Sequence, residues 1–161
     1  MRQGGSGDEV NVVVKFTAHY HEDAHRMLAE ERLAPTLHFC IHLFGDMYMV
    51  IMDYVEGTSL YFTQEELRDR EKIYNDVERA VKLLHEQDLV FGDLRVQNIV
   101  SRPDGGAMLI DFDWVGKHKE SRYPASWNTN IVWAPGVERR ALMDKAHDSF
   151  MLERLKAFLK I

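Results

Sequence analysis

Three residues with short, oxygen-bearing side chains lie in a stretch that alternates apolar runs with turn residues. Asp93 and Asn98 are separated by four residues, and Asp111 follows Asn98 by thirteen. The segment 102–106, RPDGG, is a turn signal, and the apolar runs on both sides of it predict a hairpin that brings the three side chains together. Carboxylate and amide oxygens suit magnesium, which commonly takes one or two protein carboxylates and completes its shell with water and phosphate. The spacing therefore predicts a metal site, and the competing interpretation is a set of turns capped by Asx side chains.

The same stretch resembles the catalytic loop and metal-binding motif of the protein kinase superfamily. The chain reads D-L-R-V-Q-N from Asp93 to Asn98 and D-F-D from Asp111 to Asp113. The family patterns are H-R-D-x-x-x-x-N and D-F-G. The resemblance implies that Asp93 accepts the proton of the substrate hydroxyl and that Asn98 and Asp111 hold metal.

The match covers the positions that bear chemistry and departs from the family at their neighbours. Phe91 and Gly92 replace the His and Arg of the family pattern, and Asp113 replaces its Gly. In the family, that Arg normally pairs with a phosphate on the activation segment. Its absence here argues against regulation by phosphorylation of that segment. The pattern is similar to small-molecule and atypical kinases, such as aminoglycoside phosphotransferases, choline kinases and fungal kinase-like proteins.

A lone cation lies inside an apolar strand pattern near the start of the chain. The run V-N-V-V-V-K-F, residues 10–16, predicts a β-strand that contains Lys15. A Lys at a strand end can extend its charged group to solvent, whereas the resemblance implies that Lys15 grips the α and β phosphates of ATP. In the kinase fold the next helix offers that Lys a carboxylate. We expect the partner to be Glu22, with Asp23 as the alternative.

The helix predicted after this strand also contains a literal H-E-x-x-H motif, formed by His21, Glu22 and His25. On one helix face this motif can supply two zinc ligands and a general base. The sequence shows no obvious third ligand, so ordinary surface or core roles for both histidines remain open alongside a zinc site. The glycine-rich stretch 4–7 could likewise imitate a phosphate-binding loop or form a flexible lead-in.

Two further apolar runs predict a hairpin that ends in a hinge. They are residues 37–44 and 47–55, with Gly45 and Asp46 as a turn signal between them. The second run resembles the last strand of the kinase small lobe. It implies that adenine meets the backbone near Asp53 and Val55, with Met52 at the back of the pocket.

Helical patterns fill much of the remaining chain. Residues 63–66 form a capping-box pattern, and from Ile73 an apolar stripe predicts a long helix that ends at residues 85–87. Residues 147–159 predict another helix. Asp148, near its start, resembles the buried Asp that supports the catalytic loop backbone in kinases.

Composition narrows the class of protein. The chain has 161 residues, of which 45% are hydrophobic, and this suits a single domain with a sizeable core. The net charge of −6, without a run of basic residues, disfavours nucleic acid as a partner. No apolar run is long enough to span a bilayer, no secretory signal is evident, and the single Cys40 excludes an internal disulfide. We therefore expect a cytoplasmic or nuclear protein without a membrane partner.

Together, these features predict an α+β fold, namely a truncated two-lobed protein-kinase-like fold. We expect one domain over 1–161, with a small lobe of antiparallel sheet and one helix over 10–55 and a mainly helical large lobe over 56–161 that carries the catalytic hairpin. The resemblance implies ATP and Mg²⁺, with Mn²⁺ as an alternative, and phosphoryl transfer to a hydroxyl acceptor that is a protein or a small molecule. A pseudokinase or nucleotide-binding module is the alternative. The glycine loop and the late helices have no clear counterpart, so we also expect that a partner chain or oligomer could complete the small lobe.

Overall fold

The computed structural model of the protein describes residues 10–62, 67–126 and 130–161. The glycine-rich stretch 4–7 and the capping-box pattern 63–66 lie outside these ranges. Within them the chain folds into three helices and eight strands in an α+β arrangement, as the sequence predicted. None of the described helices combines the length and hydropathy needed to cross a membrane.

An antiparallel sheet of three strands forms the N-terminal part. Its strands are β1 (Val12–Thr17), β2 (Leu37–Leu43) and β3 (Met47–Asp53), in the order β1-β3-β2. Because side chains alternate along a strand, the register Lys15↔Val50 places both of these residues on one face. The opposite face carries exposed apolar side chains, among them Val12, Val14, Phe16, Phe39, Ile41 and Met47.

Helix α1 (Glu22–Glu30) is nine residues long and packs into the larger core. Its buried side chains Ala24 and Leu28 belong to the same apolar cluster as those of the long helix that follows. The backbone after α1 is also held, because Leu109 N–H donates to the Leu33 carbonyl at 2.8 Å. Helix α1 is therefore fixed against the C-terminal part of the chain.

Helix α2 (Arg70–Glu86) confirms the predicted long amphipathic helix. Asp69 caps its N-terminus by accepting a hydrogen bond from the Lys72 N–H at 2.9 Å. Each fully buried Val, Leu or Ile side chain of its stripe contributes about 1.5–3 kcal/mol of hydrophobic stabilisation. The buried stripe consists of Ile73, Val77, Ala80, Val81 and Leu84.

Short strands form the predicted catalytic hairpin, and a third helix is the last element of the described chain. In the hairpin, Arg102 N–H donates to the Gly106 carbonyl at 2.8 Å and closes the predicted turn. Its strands are β6 (Ile99–Ser101) and β7 (Ala107–Leu109), joined on one side by β4 (Thr58–Ser59). Strand β5 (Leu89–Val90) pairs with β8 (Gly116–Lys117), and helix α3 spans Lys145–Leu159.

Candidate active site

The loop that carries Asp93 is anchored by a carboxylate from α3. Asp148 accepts hydrogen bonds from the backbone N–H groups of Phe91 and Gly92, at 2.7 and 3.0 Å. His85 Nε2 lies 3.0 Å from the same carboxylate. Asp148 is buried, so these bonds are shielded from water and strong. They confirm the predicted support of the loop by Asp148.

Gly92, which stands where the kinase pattern has Arg, has a backbone conformation and close neighbours that disfavour a side chain. Its φ is +80°, in the left-handed region that favours glycine. A Cβ atom there would lie 2.5 Å from Met143 Cε and 3.3 Å from the Trp114 carbonyl oxygen. The loop therefore needs a glycine immediately before Asp93.

Asp93 and Asn98 face each other across a 3-10 turn (Val96–Asn98). The Asn98 Nδ2 group donates to Asp93 Oδ2 at 2.8 Å and to the Asp93 carbonyl at 3.0 Å. This orientation of the amide, inferred from its partners, leaves the Asn98 side-chain oxygen available to a cation. Both residues are buried.

The second oxygen of Asp93 has a different neighbour. Oδ1 lies 2.9 Å from Arg95 Nε, but the pair lacks hydrogen-bond alignment, and among the described residues this oxygen accepts no hydrogen bond. Burial raises the pKa of Asp93 to about 7, against the opposing effects of Arg95 and Asn98, and the negative charge of Asp111 adds to the rise. A carboxylate with a near-neutral pKa, whose Oδ1 is in contact with Arg95 but accepts no aligned hydrogen bond, suits a general base.

The D-F-D motif lies beside this loop and holds Lys15. Ile110 N–H donates to the Asn98 carbonyl at 2.9 Å, so the hairpin folds back as predicted. Lys15 Nζ lies 2.8 Å from Asp111 Oδ1 and 2.6 Å from Asp113 Oδ1. Burial alone would lower the pKa of Lys15, but its bonds to the two carboxylates prevail and raise it.

The expected pair between Lys15 and Glu22 is not formed, which corrects that prediction. The Glu22 carboxylate binds Arg26, one helical turn along α1, at 2.8 Å. Arg26 also donates to the Leu37 carbonyl at 3.1 Å, so Glu22 is directed toward β2. The carboxylates that bind Lys15 are Asp111 and Asp113, and neither Glu22 nor Asp23 takes that place.

The H-E-x-x-H motif serves as a cap and as core. The His21 ring caps the N-terminus of α1. The buried His25 uses both ring nitrogens, with Nδ1 2.6 Å from the Tyr20 hydroxyl and Nε2 2.7 Å from the Pro35 carbonyl. Burial lowers the pKa of His25 to about 4. Among the described residues no group of three His, Cys, Asp or Glu side chains could hold a metal by itself.

A cleft of about 330 Å³ lies between β1, β3 and the hairpin. Its walls are largely apolar, and its polar end carries Lys15 and Asp111. Among the described residues the Val55 N–H has no hydrogen-bond partner, so it is available to a ligand. The lining residues include four of the five predicted nucleotide contacts, all except Glu22: Val13, Lys15, Pro35, Met52, Asp53, Tyr54, Val55, Val100, Ile110 and Asp111.

Sequence reasoning missed two charged residues of this site, Arg95 and Asp113. Each stands two positions after a predicted site residue, Asp93 and Asp111 respectively. In extended backbone, residues i and i+2 point to the same side, and Arg95 has an extended conformation with φ −142° and ψ 159°. That spacing was the available signal for Arg95.

Comparison with known proteins gives local similarity to kinases. No family model matches the chain. The serine/threonine-protein kinase AtPK1/AtPK6 of Arabidopsis thaliana is 31% identical over 105 residues, which cover 62% of this chain and 23% of that protein. The KEOPS complex subunit Bud32 of Pyrococcus abyssi is 36% identical over 66 residues, which cover 40% of this chain and 30% of that protein. The chain thus spans less than a third of the length of these relatives.

The fold comparison extends over nearly the whole chain. The kinase PK-1 of the Cydia pomonella granulovirus superposes with a TM-score of 0.73 and 16% sequence identity, covering 97% of this chain and 62% of that one. At that identity the likeness shows the fold alone, a truncated kinase-like one. Local sequence similarity to kinases and this fold both support the predicted resemblance to the protein kinase-like superfamily.

Proposed function

We propose that the protein transfers the γ-phosphoryl group of ATP to a hydroxyl group, with Mg²⁺ or Mn²⁺ as the cofactor ion. The observation that carries this proposal is the placement of Lys15 and Asp111 at one end of a largely apolar cleft of about 330 Å³. Apolar walls suit an aromatic base, and the free N–H of Val55 offers it a hydrogen bond. Lys15 at the polar end supplies the positive charge that phosphates require.

The side chains beside the cleft fit a magnesium ion that arrives with nucleotide. The Asn98 oxygen and the Asp111 carboxylate are hard oxygen ligands of the kind that magnesium prefers. Two protein ligands leave the remaining coordination positions to phosphate and water, which agrees with the absence of a self-sufficient metal cluster among the described residues. The ion, when bound, would neutralise charge on the β and γ phosphates. In this structure Asp111 binds Lys15, so it would exchange that partner for the ion.

The transfer itself depends on position and charge. Asp93 Oδ1 would accept the proton of the acceptor hydroxyl, whose oxygen forms the new bond to the γ phosphorus while the bond to the β–γ bridging oxygen breaks and ADP leaves. Asn98 holds the other Asp93 oxygen at 2.8 Å and so fixes the carboxylate. Asp148 fixes the backbone on which Asp93 lies. Lys15 would remain on the phosphates that stay with ADP.

A second candidate function is nucleotide binding without turnover. It is favoured by the resting state of Lys15, whose ammonium already has two carboxylate partners, and by the 3% exposure of Asp93. An acceptor could reach Asp93 only if the loop adjusts. Measured turnover separates the two functions, because both require nucleotide binding.

The proposal is tested by the thermal stability of the protein with ATP, at increasing magnesium. Binding to the native state raises its stability by about 2.7 kcal/mol when free ligand is a hundredfold above its dissociation constant. We expect an ATP-dependent increase in Tm only when magnesium is present. Absence of a shift at every magnesium concentration, in a folded sample, would contradict a nucleotide site.

Lys15→Met provides the matched variant. It should abolish or strongly reduce the Tm increase because the phosphates lose their cation, while the apolar Met side chain can still occupy the cleft. The control is Lys82→Met, which removes an exposed lysine of α2 that pairs with Glu78 at 2.7 Å. An equal ATP response in Lys15→Met and Lys82→Met would exclude the phosphate role of Lys15.

A further inference from the structure

We infer that Asp113, the second Asp of D-F-D, is the positioning residue for Lys15 and replaces the carboxylate that α1 was expected to supply. This inference rests on the proposed function of the cleft and deepens it. Asp113 would hold the Lys15 ammonium in the position from which it binds phosphate. Asp113 occupies a position at which the kinase pattern has glycine, which offers no side chain for this purpose.

Asp113 holds β1 through both of its oxygens. Oδ1 lies 2.6 Å from Lys15 Nζ, and Oδ2 accepts a hydrogen bond from the Thr17 hydroxyl at 2.8 Å. Lys15 and Thr17 are two positions apart on one strand, so their side chains lie on the same face. One carboxylate thus bridges two neighbouring side chains and fixes Lys15 relative to the strand.

Asp111 has a second task in the proposed reaction. It lies 2.8 Å from Lys15 Nζ here, but it is also the carboxylate that the proposed function assigns to the metal ion. If Asp111 turns to the ion, Asp113 still binds Lys15 at 2.6 Å. Asp113, which the proposed function does not assign to the ion, is therefore the partner that Lys15 keeps.

Helix α1 is not arranged to provide the anchor. The Glu22 carboxylate is bound to Arg26 at 2.8 Å, and Arg26 donates to the Leu37 carbonyl. The helix is tied to the D-F-D segment in a different way, because His21 N–H donates to the Phe112 carbonyl at 3.2 Å. The position of Lys15 thus depends on Asp113 and not on any α1 carboxylate.

The test measures the rate at which a small amine-acylating reagent modifies Lys15 in the full chain without nucleotide. Peptide mass spectrometry follows the modification of each lysine separately. Only the neutral amine reacts, and each unit by which the pKa of a lysine falls makes about ten times more of it available. Removing a carboxylate partner of Lys15 lowers its pKa. We therefore expect Asp113→Asn to raise the Lys15 acylation rate by several-fold, with Asp111 left as its remaining carboxylate partner.

Three comparisons make the result specific. Glu22→Gln removes the carboxylate expected from the kinase pattern and should leave the Lys15 rate within about twofold of wild type. Thr17→Val frees one Asp113 oxygen without changing charge and should give a smaller increase than Asp113→Asn. The exposed Lys82 serves as an internal reference whose rate stays constant in every folded variant. If Asp113→Asn does not fold, Thr17→Val against Glu22→Gln decides the same question.

The outcomes separate this inference from the proposed function. An unchanged Lys15 rate in Asp113→Asn, or an equal increase in Glu22→Gln, would overturn the positioning role of Asp113. In a further experiment, magnesium and ATP are added to the wild-type protein. Lys15 should then be protected from acylation at the ATP concentrations that raise Tm. No protection in wild type would overturn the proposed function, and that result does not depend on the comparison between the two variants.

Discussion

The imidazole ring of His25 lies flat against the phenyl ring of Phe112, with centroids 4.5 Å apart and planes within 2°. Phe112 also meets Phe91 edge to face at 5.7 Å. All three side chains are fully buried, so α1, the D-F-D motif and the strand before Asp93 share one aromatic cluster. Because the Pro35 carbonyl can only accept, His25 Nε2 must donate to it. Burial lowers the pKa of His25 to about 4, so above that pH the imidazole is neutral and its Nδ1 accepts from the Tyr20 hydroxyl.

The first prediction concerns stability against pH. The pKa of His25 is about 4 in the folded protein and 6.5 in its ordinary state, so between pH 6.5 and 4 the unfolded chain binds a proton that the folded chain does not. This contribution of His25, at most about 3 kcal/mol, is complete above pH 6.5 and is lost as pH falls toward 4. Asp93 acts with the opposite sign, since its pKa is raised to about 7 and its contribution is lost as pH rises from 4 to 7.

Chemical denaturation from pH 4 to 7.5 measures how the free energy of unfolding depends on pH and so tests both contributions. Relative to wild type, the free energy of unfolding should fall more steeply with rising pH in His25→Gln, because the contribution of His25, which opposes that of Asp93, is removed. In Asp93→Asn it should instead rise more steeply with pH. Parallel curves for wild type and His25→Gln would show that the buried imidazole does not titrate as described.

The second prediction concerns the anchor of the catalytic loop. Asp148→Ala leaves the buried N–H groups of Phe91 and Gly92 without their acceptor, so the free energy of unfolding should fall by about 2–5 kcal/mol. The control is Asp144→Ala at the N-cap of the same helix, which removes the acceptor of the Ala146 N–H and a 3.8 Å contact with His118, and should cost about 1 kcal/mol. Urea denaturation measures both, and equal losses would mean that the loop does not depend on Asp148.

Periodicity and turn chemistry predicted the elements that position the site. The stripe from Ile73 to Leu84 specified α2, and the turn at 102–106 specified the hairpin that brings Asp111 beside Asn98. These are local signals, because a helix or a hairpin buries its own pattern of side chains. Local patterns were therefore enough for the individual strands, the helices and the catalytic hairpin, whereas the assembly of the small sheet was predicted from the kinase resemblance.

The partner of Lys15 could not be predicted in this way. Lys15 and Asp113 are 98 positions apart, so their contact depends on how β1 packs against the segment that follows the hairpin and not on any local period. The resemblance assigned that role to Glu22, whose orientation is set by Arg26 and the Leu37 carbonyl. A carboxylate in the expected helix was present, but its rotation about the helix axis was not readable from the sequence.

The third prediction is a pH dependence of catalysis. If Asp93 is the base, it must be ionised in the free enzyme, and its pKa of about 7 then appears in kcat/KM. We expect kcat/KM to fall about tenfold for each pH unit below 7 and to level off above it. Steady-state rates with saturating magnesium at each pH measure this. A flat profile between pH 5.5 and 8 would argue that Asp93 only orients the acceptor.

The last prediction separates catalysis from binding at Asp93. Asp93→Asn preserves the shape of the side chain, and Asp93 does not line the nucleotide cleft, so magnesium-dependent ATP binding should stay within about twofold of wild type. Turnover should fall by a factor of about 10²–10⁴, because a positioned general base accelerates a reaction by a factor of that order.

ATP consumption and calorimetric binding are measured on the same samples with candidate hydroxyl acceptors. The control is Asp104→Asn, a substitution of an exposed turn carboxylate that pairs with Arg102, and it should change neither quantity. Equal turnover in wild type and Asp93→Asn would mean that the observed ATP consumption does not depend on Asp93. Tight ATP binding without turnover in wild type would favour the nucleotide-binding module.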